Sequence, residues 1–484
     1  MQNKLAQLLS PDNTPQLLFR AFGAILLLCL FVGIATEWYF LLGIPAFLLL
    51  AYLTVVDFHK AFLLLVACIP LSTELNLPSG LATDLPTEPL MVGLMLVGGA
   101  YALRHFRDLD GRYLRHPITL LLLTHLAWIV VTAITSQDQV VSVKFLLAKI
   151  WYVVPFYFLA SRMLDGQDRF RAFFWAAFVP LLFTVVVTLI RHSAYGFSFA
   201  DVFRVLHPFY RNHVTYASII ALFIPLVWFM RLWYPAYSLK WWFLVAGLVI
   251  LLTAIQFSYT RAAYVAVVGA IGAYYAIRLR LMRYLLIVAF AAAIGLVAFM
   301  AAGNRYLDYA PNYETTVSHR DFNNLIQATY EMEDISTMER LYRWMAGFQM
   351  SAARPATGFG PGNFYNFYKP YAITSFRTYV SDNPDKSGIH SYFLMTLVEQ
   401  GAPGLALFVL LCVYALLEGE RIYHRTEGIK DKQIVMMALL SLVIILALLI
   451  INDLIETDKV GAFFFINLAI LANMGLRASP KTPA

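Results

Sequence analysis

The chain has 484 residues, of which 60% are hydrophobic and 13% charged, with a mean hydropathy of +0.67. Water-soluble domains run at roughly half apolar and a quarter charged, so this composition excludes a soluble globular protein and implies a helix bundle in lipid, where no backbone polar group is left unpaired. The net charge of +7 does not mark a nucleic-acid partner, because Lys and Arg stand in short clusters between apolar runs and no basic arm is present.

The opening stretch Met1 to Arg20 is polar and no small-residue cleavage site follows it, so it reads as a cytoplasmic tail before a retained first helix. Spanning a bilayer takes about 20 apolar residues. Candidate spans fall near residues 17–36, 38–57, 58–72, 88–104, 117–135, 142–160 and 170–190, the third being short. The second half adds 214–230, 241–257, 261–278, 283–301, 391–418, 433–451 and 458–476. The predicted fold class is an all-α polytopic membrane protein, with about fourteen transmembrane helices and one large, partly helical extracytoplasmic loop. It divides into N-terminal helices with an outer loop (1–213), central helices (214–302), an extracytoplasmic loop domain (303–390) and C-terminal helices (391–484). Cys29, Cys68 and Cys412 all lie inside apolar runs, which argues against a disulfide framework or a metal knuckle.

Charge sets the orientation. With the N-terminus inside, the clusters Arg104/Arg107/Arg112/Arg115, Arg162/Arg169/Arg171, Arg231/Lys240, Arg278/Arg280/Arg283 and Arg421/Arg425/Lys430/Lys432 all fall on the cytoplasmic side. Arg477 and Lys481 join them, so both termini are predicted to be cytoplasmic. Four segments then lie outside: Ser72 to Pro86, Arg191 to His213, the turn Ser258 to Thr260, and Gly303 to Ile389. Within the last, Met338 to Ala353 has the apolar spacing of an amphipathic helix, with Arg340, Arg343 and Gln349 on its polar face. Arg354-Pro355 and the run Gly358 to Gly362 end it as a turn; with no strand or P-loop Lys beside it, that run is a weak phosphate-loop signal.

Four outward features carry chemical potential: Arg211 ahead of the eighth span, Arg261 at the mouth of the tenth, Arg340 in the loop helix, and His390 where the chain returns to the membrane. Arg binds phosphate bidentately and keeps its charge at any physiological pH, and an imidazole can accept a proton near neutrality. Each has a plainer reading. Arg211 and Arg261 could anchor at the headgroups, although the helix dipole opposes a cation at an N-terminus. Arg340 could be a solvated helix residue, and His390 an interfacial histidine bonded to a loop carbonyl. The aromatics from Phe364 to Tyr379 read as an interfacial belt more readily than as a sugar platform. Glu74, Asp84 and Glu88, and in the large loop Glu331, Glu333 and Asp334, lack metal-ligand spacing and read as solvated.

In order, these features are more specific than any one of them: Arg211-Asn212-His213, Ser258-Tyr259-Thr260-Arg261, Arg340 with Trp344, Pro355 to Phe364, and His390-Ser391 followed by Glu399, Gly401 and Gly404. The pattern resembles the O-antigen ligase and polymerase superfamily, over residues of about 205 to 420. One departure is Ser391, where the family has Asn after the histidine. The resemblance implies a GT-C-like bundle in the bacterial inner membrane that transfers a glycan from undecaprenyl diphosphate to an acceptor hydroxyl on the periplasmic face. Arg211, Arg261 and Arg340 would cradle the diphosphate, with His390 as base and Arg261 counted beside it as catalytic. No metal and no cofactor are called for. The acceptor would be lipid A-core, a growing polysaccharide or a protein, with membrane lipid as the surroundings. The glycan-transfer alternatives are an O-antigen or exopolysaccharide polymerase and a protein O-oligosaccharyltransferase; a metal-dependent oligosaccharyltransferase is disfavoured by the sparse acids of the first outer loop. A lipid-linked glycan flippase or transporter is the rival of another class, and it is disfavoured because neither inverted repeats nor broken helices with intramembrane charge are evident. Glu399 is expected to hold the Gly401–Gly404 bend.

Overall fold

A computed structural model describes residues 14–38, 41, 43–76, 82–104, 111–303, 335–373, 383 and 387–478. Every predicted span falls on a helix. In chain order these are α1 (Thr14–Ala35), α2 (Gly43–Val56), α3 (Phe58–Cys68), α4 (Thr87–Arg104), α5 (Pro117–Ile134), α6 (Gln139–Met163), α7 (Gln167–Ser193), α8 (His213–Arg231), α9 (Leu239–Gln256), α10 (Arg261–Arg278) and α11 (Met282–Ala301). After the loop helix α12 (Ile335–Ala353) come α13 (Tyr392–Arg425), α14 (Ile429–Leu449) and α15 (Asp458–Ala478).

Among the described residues, ten helices are long and apolar enough to cross a membrane. The exceptions among the predicted spans are α2, α3, α4 and α10. With 14 and 11 residues, α2 and α3 reach only about 21 and 16 Å, short of the roughly 30 Å hydrocarbon core. Helices α4 and α10 carry Glu88 and Arg104, or Arg261 and Arg278, in their end turns, which lowers their mean hydropathy.

Local chemistry sets several helix starts. Asp57, Asp138, Asn212, Ser238 and Ser391 each accept a backbone N–H of the first turn with a side-chain oxygen. In α15, 89% of the spanning window is buried, against 6% in α11, so α15 is central and α11 faces lipid. Helix α8 packs on α9 and α14, α10 on α14, α5 on α13, α3 on α7, and α12 on α13.

Four features depart from expectation. The first outer segment contains an antiparallel hairpin, β1 (Thr73–Asn76) with β2 (Ala82–Leu85), pairing Glu74 with Asp84. Helix α6 includes a π-helical stretch from Val154 to Leu159. Helix α13 is broken at Gly401, whose φ of 69° and ψ of −177° are non-helical, and Lys149 is a buried charge inside α6. A broken helix and an intramembrane charge are therefore present, contrary to the sequence reading.

Cross-chain contacts separate two ends. At one, Arg477 meets Asp165, Gln167 bonds Asp431, and Glu420 accepts the Met282 N–H. At the other, Arg211 meets Glu74, Ser72 meets Asp458, Thr260 bonds the His213 carbonyl, and the Gln137 N–H bonds Phe359. Asp165, Gln167, Met282, Glu420 and Asp431 border predicted basic clusters, whereas Ser72, Glu74, Arg211, His213, Thr260 and Phe359 belong to the predicted outer segments.

Candidate functional site

Three elements fix the segment just before α13. Arg343 on α12 donates to the Gly388 carbonyl at 3.2 Å, and the Trp344 indole N–H donates to the Ile389 carbonyl at 3.1 Å. Ser391 caps α13 by accepting the Leu394 N–H, and the Tyr392 N–H reaches the Asn452 carbonyl at 3.1 Å. The guanidinium of Arg343 is itself held by Glu339 one turn earlier, at 3.0 Å, with both side chains buried. Between these ties sits His390, at φ 58°. A left-handed backbone costs a non-glycine residue about 1–3 kcal/mol and persists only where its surroundings over-determine it. The imidazole is half-buried, and its pKa is lowered to about 3 by burial and by the charges of Arg340 and Arg343. It is therefore neutral at physiological pH, with a lone pair available. Arg340, half-buried on α12, is close enough for its charge to act on His390.

Arg261 is the first residue of α10. The turn before it is locked: Ser258 donates to Ile255 and accepts the Thr260 N–H, Tyr259 at φ 54° donates its hydroxyl to the Phe197 carbonyl at 2.6 Å, and Thr260 donates to the His213 carbonyl at 3.3 Å. That last bond ties the mouth of α10 to the start of α8, two residues from Arg211. Arg211 is 69% exposed and lies 3.8 Å from Glu74. A helix N-terminus carrying a cation concentrates positive potential, the arrangement that receives an anion.

The Gly358–Gly362 run is a turn, docked on the break in α13. The Phe359 and Gly360 N–H groups bond the carbonyls of Val398 and Glu399 at 2.9 Å each, and the Ala402 N–H bonds Pro355 at 2.8 Å. Gly358, at φ 67°, leaves no room for a Cβ, which would stand 2.5 Å from the Val398 oxygen. Glu399 holds this turn, rather than the Gly401–Gly404 bend: its carboxylate accepts the N–H groups of Gly362 (2.8 Å) and Phe364 (3.1 Å). Of the described aromatics that follow, Phe364 and Tyr368 do not belong to a belt: they are buried and stacked at 5.0 Å, with Tyr342 of α12 edge-on at 6.4 Å. Phe376 and Tyr379 lie outside the described residues, as do Glu331, Glu333 and Asp334.

The segment between α14 and α15 supplies acids that sequence reading missed. The carboxylate of Asp453 lies directly against Gly388, two residues before His390. Burial raises its pKa, while the charges of Arg343 and Arg211 pull it back down. Glu456 pairs with buried Lys149 at 2.6 Å, and that ammonium also donates to the Tyr392 hydroxyl at 3.2 Å. Asp458 accepts from Ser72 and Thr87, and Lys459 donates to Ser72 and Ile69. A charged stretch from Asp453 to Lys459 between two apolar spans, and a lone Lys149 within one, are the signals that could have flagged them. Glu74, Asp84 and Glu88 are not merely solvated either. All three are half-buried, Glu88 accepts from Thr83 at 2.7 Å, and the pKa of Asp84 is raised by burial and the charge of Asp458.

The structure thus ties the Arg261 turn to the Arg211 segment through Thr260, while the charge of Arg340 acts on His390 and that of Arg211 on Asp453, beside Gly388. Residues 246–409 match the O-antigen ligase family model. Over this segment the chain is similar to the O-antigen ligases. The match includes Arg261, Arg340, the glycine turn, His390 and Glu399, and leaves out Arg211, so it is narrower than the resemblance read from the sequence. No curated protein matches the chain. The matched segment includes the locked turn before Arg261, the whole of α12 and the break in α13.

Proposed function

We propose that this multi-pass membrane protein is a glycosyltransferase that moves a glycan from undecaprenyl diphosphate to an acceptor hydroxyl at the periplasmic face of the bacterial inner membrane. In this reading the basic end of the bundle is cytoplasmic, both termini are inside, and residues 303–390 form the periplasmic domain. The observation that carries it is a neutral His390 in the field of Arg340, at the end where Arg211 and Arg261 also stand.

The chemistry follows from that placement. Arg211, Arg261 and Arg340 hold the diphosphate by charge-assisted hydrogen bonds that strengthen as it departs. The acceptor oxygen attacks the anomeric carbon from the opposite face, its proton passes to His390, and the carbon–oxygen bond to the diphosphate breaks with its electron pair leaving on the phosphate. Direct displacement inverts the anomeric configuration. In the empty site the arginine field makes His390 a weak base; an arriving diphosphate offsets that field and raises its basicity, so proton abstraction is coupled to donor loading. No metal is needed where guanidiniums supply the countercharge.

A polymerase and a protein O-oligosaccharyltransferase would use the same chemistry with another acceptor. The broken α13 and buried Lys149 are features a lipid-linked glycan carrier would share, so the assay must separate transfer from transport. Purified protein in detergent, given a defined undecaprenyl-diphosphate glycan and an acceptor, is expected to form an inverted linkage with or without EDTA. Loss of transfer in EDTA removes the metal-free mechanism, and full activity in both His390→Ala and Arg261→Ala removes those residues from the chemistry.

A further inference from the structure

A cavity opens beside the outer hairpin, lined there by Thr83 and Glu88. A groove of about 480 Å³ runs between α2, α4 and α6, lined among others by Phe47, Ala51, Glu88, Gly93, Val97 and Trp151. This volume lies within the ~300–1,000 Å³ range of ligand pockets. We propose that it binds one alkyl chain of an outer-leaflet lipid whose headgroup carries no net negative charge.

Depth, access and charge support this occupant. Glu88 to Val97 is nine residues along α4, about 14 Å at 1.5 Å per residue, close to half of the roughly 30 Å hydrocarbon core. The groove therefore runs the depth of one leaflet, from the end of the bundle that holds His390. Phe47 and Leu96 on its rim are each 64% exposed, so it opens sideways to lipid. A Cβ at Gly93 would meet nothing within 4 Å, which leaves the wall bare there. At the mouth, Glu88 accepts from Thr83, and Asp84 pairs across the hairpin with Glu74, which already engages Arg211. Glu88, the one of these acids that lines the groove, repels a phosphate or diphosphate at that point and leaves a hydroxyl-bearing or amine-bearing headgroup compatible. In lipid, retention rests on van der Waals packing rather than on a hydrophobic drive, so filling the groove abolishes it.

The test is photolabelling of the full chain in vesicles of phosphatidylglycerol, whose headgroup is anionic. One probe is an alkyl maltoside with a diazirine in its chain, the other a farnesyl diphosphate analogue with the same group, and labelled peptides are read by mass spectrometry. The maltoside is expected to label the 88–97 stretch and Trp151 more strongly than the diphosphate does. Labelling should fall by about tenfold in Gly93→Trp but not in Gly99→Trp, on the same helix and also open, yet outside the groove. An unlabelled groove, equal labelling by the diphosphate, or labelling that survives Gly93→Trp overturns the proposal. Labelling does not depend on glycan transfer, so failure of the catalytic reading would leave this result intact.

Discussion

At the basic end of the bundle the cations stand on the surface. Arg421 pairs with Glu418 while 61% exposed, and Arg425 reaches the same carboxylate at 55% exposure. Arg231 lies over the Trp228 ring at 4.2 Å and Lys430 over Trp233 at 5.4 Å, as interfacial anchors do. At the opposite end Lys149, Arg343 and Lys459 are buried, and each bonds backbone or hydroxyl groups as well as a carboxylate. Removing water from a charge is costly unless its partners are well placed. The buried cations therefore mark where the fold is held to one geometry, and the surface cations mark which way the chain is threaded. Of the basic residues picked out from the sequence as site candidates, Arg261 and Arg340 are half-buried, while Arg211 remains exposed.

Changes at the buried end should therefore cost far more than changes at the basic end. Arg343→Ala takes its buried cation from Glu339 and frees the Gly388 carbonyl, so a loss of about 3–5 kcal/mol is expected, measured as a drop in thermal midpoint in detergent; a drop no larger than that of Arg421→Ala would remove the distinction. Glu399→Ala deprives the Gly362 and Phe364 N–H groups of their acceptor, for about 1–3 kcal/mol. Limited proteolysis should then open the chain near the glycine turn first, and cleavage unchanged from wild type would contradict the role given to this carboxylate.

The pH dependence sharpens the comparison further. His390 titrates near 3 in the fold against about 6.5 in an unfolded chain. The unfolded state takes up the proton first, so this residue lowers stability as pH falls through that window and has no such effect above it. His390→Gln should lose less thermal stability between pH 7 and pH 4 than wild type does, and an unchanged difference would show that the imidazole is not held neutral. At the basic end, Arg421→Ala should cost under about 1 kcal/mol, an effect that fades with added salt.

Much of the bundle was legible because apolar runs and helix caps are local signals. The amphipathic spacing from Met338 located α12, whose start lies three residues earlier, and the glycine run was rightly read as a turn. What could not be read depends on partners distant in sequence. Lys149 and Glu456 are 307 residues apart, and the outer hairpin has only four residues per strand and a tie to Arg211. Glu399 was placed on the correct helix with the wrong partner, because a buried carboxylate can serve any N–H its surroundings bring to it. Phe364 and Tyr368 differ from the belt reading for a related reason: composition does not tell an interfacial belt from rings that stack on one another beneath a loop helix.

The most direct test separates holding the diphosphate from taking the proton. Donor affinity is measured by equilibrium binding of a labelled undecaprenyl-diphosphate glycan, and the chemical step by single turnover at saturating donor, for wild type, Arg261→Ala and His390→Ala. The account predicts that Arg261→Ala weakens donor binding by about tenfold or more. His390→Ala should bind the donor as wild type does and lose about 10²–10⁴ in the chemical step. A His390→Ala protein that transfers at the wild-type rate, or an Arg261→Ala protein with undiminished donor affinity, would contradict it.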